Sequence, residues 1–267
     1  MVSEANAHPS QKRSTHRRDR RSDTLWISGV HAVKEILRTR PEQVDLVVLV
    51  GQHPSHRLFV ALAREHRIPY TREEHRVPAH LRARKHAPVF ARLAAFRYAD
   101  LDDVLEKIAA DTIFLILDHI QDPTNLGNIL RTAAAAGVQA VLLPQHRSVR
   151  VTPTVAHIAS GALAHVPVAR FGSLQQLIQQ LQERGVWVIA ADPYAPEEWY
   201  HIKADRPVAL VLGHEGEGIT ATVIQLCDQT VRIPTVHLDA LNVATAAGIL
   251  IYEVVRQRRT RAGGPAK

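Results

Sequence analysis

Three short segments hold most of the residue types able to grip a polar ligand or move a proton. The first is D-P-T-N-L-G-N-I-L-R-T-A-A-A-A-G at 122–137. Pro123 and Gly127 shape a turn, a helix starts near Asn128 with Asn125 as its cap, and Arg131 lies one turn in. A guanidinium there can reach back toward a phosphate or carboxylate with a planar set of donors. The second is L-V-L-G-H-E-G-E-G-I at 210–219. Its glycines, beginning with Gly213, allow positive φ and close approach of backbone to a ligand. Glu215 is costly to bury there unless a donor such as Arg131 pairs with it, whereas Glu217 reads as a solvated loop acid. The third is V-R-I-P-T-V-H-L-D-A-L-N-V-A-T-A-A-G-I-L-I-Y-E at 231–253. Pro234 breaks a strand and frees backbone groups around Ile233, and Asn242 sits near the start of a long apolar helix.

Several chemistries are excluded by what these segments lack. No G-K-[ST] follows the glycines and no G-x-G-x-x-G is present, so nucleotide triphosphate and nicotinamide chemistry have no support. The sixteen histidines are scattered, and His53-Pro-Ser-His56 is interrupted by a helix breaker, so no metal site is expected. The single cysteine, Cys227, rules out a disulfide framework and suits a reducing, cytoplasmic setting. No apolar run approaches the ~18–20 residues that span a bilayer, so no membrane partner is expected.

The elements that must position these residues follow from periodicity. Short unbroken apolar runs at 113–117, 140–143, 186–190, 208–212 and 231–233 alternate with helical stretches, notably 129–136, 174–184 and 240–258. Such runs predict an α/β domain with a parallel sheet covered on both faces, whose ligands bind beyond the carboxyl ends of the strands. All three segments fall there. The helix from 243 to 251 is apolar on nearly every face, which predicts enclosure on several sides. Upstream, 29–38 is helical, 44–50 a strand, 58–66 helical, and weak strands are expected at 89–96, giving a small α/β domain.

Charge divides the chain further. Residues 24–98 carry thirteen Lys/Arg against six Asp/Glu, whereas 99–267 carry fourteen against seventeen. The basic excess before residue 99 predicts contact with a polyanion, RNA above all. The expected organisation is a disordered basic tail at 1–22, an RNA substrate-binding domain at 24–98, an acidic linker helix at 99–110, a catalytic domain at 111–258 and a disordered tail at 259–267.

In this order and spacing the three segments resemble the SpoU/TrmH family of RNA ribose 2′-O-methyltransferases. Asn125, Gly127 and Arg131 match its N-x-G-x-x-x-R pattern, and Gly213, Glu215 and Gly218 its G-x-E-x-x-G pattern. Residues 24–98 are similar to the ribosomal-protein-like domain of the RlmB group, which acts on guanosine of large-subunit (23S) rRNA, although H-Q-G-V stands here as H-A-P-V. The resemblance implies a deep trefoil knot, S-adenosylmethionine bound within it and a homodimer. It also implies backbone contacts to that cofactor from Gly213, Ile233 and Leu241. Arg131 and Asn125 would face the ribose, supported by Glu215 and Asn242. The third segment departs from the family's I-P-M-x-G-x-x-x-S-L-N-V-S: it is one residue shorter, and Ala240 and Ala244 replace both serines. The alternatives are a transfer-RNA substrate or a catalytically silent RNA-binding assembly factor.

Overall fold

The computed structural model describes residues 25–82, 87–93, 96–214 and 216–261. The basic tail expected at 1–22, residues 262–267 and the candidate Glu215 lie outside the described residues. The first part of the chain runs β1 (Leu25–Ser28), α1 (Val30–Thr39), β2 (Val44–Leu49), α2 (His56–Glu65), β3 (Tyr70–Thr71), a single turn α3 (Ala79–Arg82) and β4 (Val89–Leu93). Its four-stranded sheet has the order β1-β4-β2-β3. The spacing of Val33, Ile36 and Leu37 does place them on the buried face of α1.

After α4 (Leu101–Leu105) come β5 (Ile113–Leu117), α5 (Pro123–Ala136), β6 (Ala140–Pro144), α6 (Pro153–Ala159), β7 (Val168–Phe171) and α7 (Leu174–Glu183). The chain continues through β8 (Trp187–Ala191), β9 (Glu197–Glu198), β10 (Val208–Leu212), α8 (Ala221–Leu226), β11 (Gln229–Arg232) and α9 (Val243–Arg261). These strands form one parallel sheet in the order β7-β6-β5-β10-β8-β11-β9. β5 shows why its run is unbroken: Ile113, Leu115 and Leu117 pack toward α5, α6 and α9, while Phe114 and Ile116 pack toward α7. Both faces are covered, as continuous apolar strands require. From β5 the chain builds outward to β6 and β7, then crosses to the other side and later inserts β10 beside β5. The sheet therefore has a topological switch point between β5 and β10, where such folds leave a crevice.

Three sequence expectations are corrected. The linker helix expected at 99–110 is only one turn of α4, capped by Asp100. Past Leu105 the ladder is not continued: Lys107 N turns to the Val104 carbonyl three residues back, and the Ala109 N–H goes to Thr112 Oγ1 at 2.8 Å. Nor does this segment act as a spacer: Ala99 bridges to Ala169 beside β7, and Val104 and Leu105 are buried in the sheet's core. Helix α5 begins at Pro123, not near Asn128. Asp122 is its cap, accepting from Thr124 N at 2.8 Å, and proline is suited to the first helical position. Helix α9 runs from Val243 to Arg261, so the tail expected from 259 is still helical through Arg261.

The two parts share a continuous core. Side chains of α1, β1, β2 and β4 join those of α5, α6 and β5 in one buried cluster. Helix α6 lies between α5 on one side and β1 on the other. At this junction Glu35 Oε1 is 3.1 Å from His165 Nε2, and the Tyr98 hydroxyl accepts from Val151 N at 3.0 Å. Among the described residues no helix is long and apolar enough to cross a membrane.

Candidate active site

The site is built where the first and third segments meet. Asn125, in the first turn of α5, is buried at 8% exposure. It does not cap that helix. Its Oδ1 accepts from Asn242 Nδ2 at 3.0 Å. Asn242 is a cap, but of α9: its Oδ1 accepts from Ala244 N at 2.9 Å and Thr245 N at 3.4 Å. One side chain thus satisfies orphan donors of the helix terminus and joins two segments 117 residues apart.

Gly127 explains how the segments come so close. A Cβ there would lie 2.6 Å from both Cβ and Cγ2 of Ile158 on α6, so glycine lets α5 and α6 pack in contact. Gly248 on α9 faces Thr132 of α5 more loosely, with 3.7 Å available to a Cβ. The glycines of the second segment also serve the protein itself. A Cβ on Gly213 would come within 2.3 Å of the Gly218 backbone, because the loop closes on itself. Gly218 N donates to the His214 carbonyl at 2.9 Å, and Gly218 takes φ +67°, which favours glycine. His214 Nδ1 accepts from Gly216 N at 3.0 Å and Glu217 N at 3.3 Å, fixing the loop's shape.

Of the other candidates, Ile233 and Leu241 are half-buried at the two ends of the loop between β11 and α9, and Ile233 packs on the core. Arg131 is exposed on α5 and makes no hydrogen bond or ion pair with any described residue. The structure brings Asn125 and Asn242 together and does not join Arg131 to them directly. Gly213 and Ile233 follow β10 and β11, which flank β8. In the loop that follows Ile233, the N–H groups of residues 235–241 have no hydrogen-bond acceptor among the described residues, and Val236 and Leu238 are 89% and 69% exposed. Free backbone donors beside uncovered apolar side chains suit a ligand that is part polar and part flat and apolar.

The sequence reading missed a neighbouring feature. A cavity of about 810 Å³ lies at the carboxyl ends of β5, β6 and β10, bordered by Asp118, His119, Gln121, residues 145–150 and the β10 loop. The available signal was Q-H-R-S-V-R at 145–150, a basic cluster just after a strand in an otherwise acidic half. Among the described residues no three metal-ligating side chains converge.

The fold is α/β, with the candidate residues gathered at strand ends beside a switch point. Comparison with known proteins makes this specific. Residues 112–252 match the SpoU rRNA Methylase family, and the chain belongs to that family. It is an RNA methyltransferase, so the silent assembly factor is set aside. The protein YacO of Bacillus subtilis, assigned to the TrmH family of tRNA/rRNA methyltransferases, is 41% identical over 178 residues, covering 65% of this chain and 72% of YacO. The solved AdoMet-bound rRNA methyltransferase of Sinorhizobium meliloti superposes with a TM-score of 0.75 at 22% identity, covering 89% of this chain and 88% of that one. A structure described for 2-OH methylation of C/U34 on tRNA is 27% identical with a TM-score of 0.52, covering 57% of this chain and 99% of its own.

Proposed function

We propose that this enzyme methylates a ribose 2′-hydroxyl of large-subunit (23S) rRNA, at a guanosine, using S-adenosylmethionine. The observation that carries the reading is the Asn125–Asn242 bond, which closes the first and third motif segments at the carboxyl end of the sheet. The choice of rRNA is supported by the reach of the likenesses. The rRNA methyltransferase matches along both parts of this chain, whereas the tRNA enzyme covers 57% of it. The basic excess of residues 24–98 supports an RNA-binding role for the first part. So does a 400 Å³ cavity there, bordered by Arg57, Arg72 and His53.

The residues present fit S-adenosylmethionine. The loop after Ile233, with its free N–H groups and exposed Val236 and Leu238, and the turn at Gly213 would hold it, with Leu241 closing the far end. When bound, it supplies an activated methyl group. The chain's own residues position the ribose and handle its proton. Asn125 and Asn242, locked to each other, orient the sugar. The Arg131 guanidinium stabilises the developing alkoxide by charge and hydrogen bonding, since a guanidinium holds its protons too firmly to serve as a base. Glu215 is the competing proton acceptor. The family fold further implies a trefoil knot around residues 233–242 and a homodimer through α9, whose exposed Tyr252 and half-buried Ile249 are left for a partner to cover.

Mapping ribose methylation in rRNA and tRNA from cells with and without this protein tests the reading. One 2′-O-methyl mark should vanish from large-subunit rRNA; loss of a mark from tRNA alone would overturn the substrate assignment. Turnover of Arg131→Lys and Glu215→Gln across pH separates the two proton roles, and unchanged activity in Arg131→Ala would refute any role for the arginine.

A further inference from the structure

The cavity at the ends of β5, β6 and β10 has no part in the assignments above, yet it is built. Of the four non-glycine residues with positive φ among the described residues, two border it: His119 at 58° and Arg147 at 54°. L residues rarely adopt this backbone, and where it occurs the surrounding structure must hold it, commonly at functional sites. The surroundings here do hold it. Val149 N and Ser148 Oγ donate to the Ile120 carbonyl at 2.8 and 3.3 Å, which ties the β6 loop to the β5 loop. The buried Asp118 carboxylate meets His119 Nδ1 at 2.6 Å. The third wall is the loop that His214 fixes from within.

What this scaffold presents is positive. Arg147 and Arg150 are exposed and make no ion pair or hydrogen bond with any described residue. Among the described residues the acids bordering the cavity are Asp118, already engaged by His119, and Glu217 across the crevice. Gln121 and Gln145 add side-chain amides able to donate and accept. Two free guanidinium groups beside amide and imidazole groups match a phosphodiester with an unpaired base attached. A cavity of about 810 Å³ is of the size of single nucleotides, not of a duplex.

We propose that this cavity is an RNA subsite, taking an unpaired nucleotide next to the reacting ribose, with its phosphate at Arg147 and Arg150. This rests on the RNA methyltransferase reading and adds where, and in what form, the RNA is held. The test uses the full chain and a fluorescently labelled, mixed-sequence 12-nucleotide single-stranded RNA. Anisotropy is measured across salt for wild type, Arg147→Gly, Arg150→Ala and the double variant. Glycine suits the positive φ of residue 147, so the loop is kept.

Each substitution should lower the slope of log affinity against log salt by about 0.7. The double variant should lose on the order of tenfold in affinity, with the thermal midpoint and calorimetric S-adenosylmethionine affinity unchanged. Unchanged RNA affinity and slope would overturn the proposal. So would loss of S-adenosylmethionine affinity in the double variant, which would make the cavity part of the cofactor site. Equal arginine dependence with a duplex of the same sequence would overturn the unpaired form. A wild-type protein that shows the arginine-dependent slope but takes no S-adenosylmethionine would instead refute the enzyme reading and leave the subsite standing.

Discussion

Substituting Gly127 by alanine should destabilise the protein, although in an isolated helix alanine is favoured over glycine by about 1 kcal/mol. The reason is the α5–α6 contact. A Cβ at residue 127 meets Ile158 Cβ and Cγ2 at 2.6 Å and the Val155 carbonyl oxygen at 3.3 Å. Rotating Ile158 can move Cγ2 but not Cβ, which is fixed to the backbone of α6. Carbon atoms rest about 3.5–4.0 Å apart, so the helices must separate by roughly 1 Å. A 2.6 Å approach to a Cβ that cannot rotate away falls in the upper part, about 2–3 kcal/mol, of the usual overpacking cost; set against the helical gain, a net loss of about 1–2 kcal/mol is expected. For a chain of this size that is a fall of roughly 2–8 °C in thermal midpoint. Activity should fall further, since a shift near 1 Å at Asn125, two residues away, can cost about a hundredfold. Gly248→Ala is the internal control: its Cβ would sit at an ordinary 3.7 Å from Thr132 Cγ2, so it should be neutral or stabilising by up to about 1 kcal/mol. Calorimetric unfolding of both variants decides the matter. A Gly127→Ala protein as stable as wild type, or a Gly248→Ala protein less stable than it, would refute the packing argument.

Gly213→Ala should open the β10 loop, because its Cβ would collide with the Gly218 backbone; methyl transfer and S-adenosylmethionine binding should both fall at least tenfold, read by filter assay and calorimetry. Asn242→Ala should cost about 1 kcal/mol through the lost cap, whereas Asn242→Ser should restore stability by capping but not activity, because serine does not span the 3.0 Å link to Asn125. The Cys227 thiol is pushed up to about 12, first by burial and then by the Asp228 charge. Iodoacetamide at pH 8 should therefore leave it unmodified until denaturant is added. The folded state keeps a proton that the unfolded chain releases above its ordinary 9.0, so this group's contribution to stability is intact below about pH 9 and declines between 9 and about 12. Urea titrations at pH 8 and 10.5 of wild type and Cys227→Ala should show the smaller alkaline loss in the variant.

Much of the sheet was legible because strands covered on both faces must be apolar throughout: β5 and β10 stand where their runs predicted them. β7, V-A-R-F, was missed because Arg170 interrupts the run. That residue is accommodated by stacking over Tyr98, 5.2 Å from the ring centroid, and by donating to the Pro144 carbonyl. The cap of α5 was misplaced by three residues because Asn125 and Asp122 are both good capping types, and only the buried contact with Asn242 distinguishes their tasks. That contact pairs residues distant in sequence, which no local pattern can specify. By residue type the glycines suggest room for a ligand. At Gly127 and Gly213 they are first room for Ile158 and for the loop's own backbone. The basic loop at 145–150 carries no glycine or asparagine pattern, and only the pairing of β5 with both β6 and β10 sets it beside the other strand-end loops.

The most direct test of the central claim is the identity of the product. Purified protein is incubated with labelled S-adenosylmethionine and unmodified large-subunit rRNA, the RNA is digested to nucleosides, and the label is located by mass spectrometry. A single 2′-O-methylguanosine is expected, absent when Asn242→Ala or Arg131→Ala replaces the wild type. Label on a base, or labelled ribose formed equally well by both variants, would contradict it.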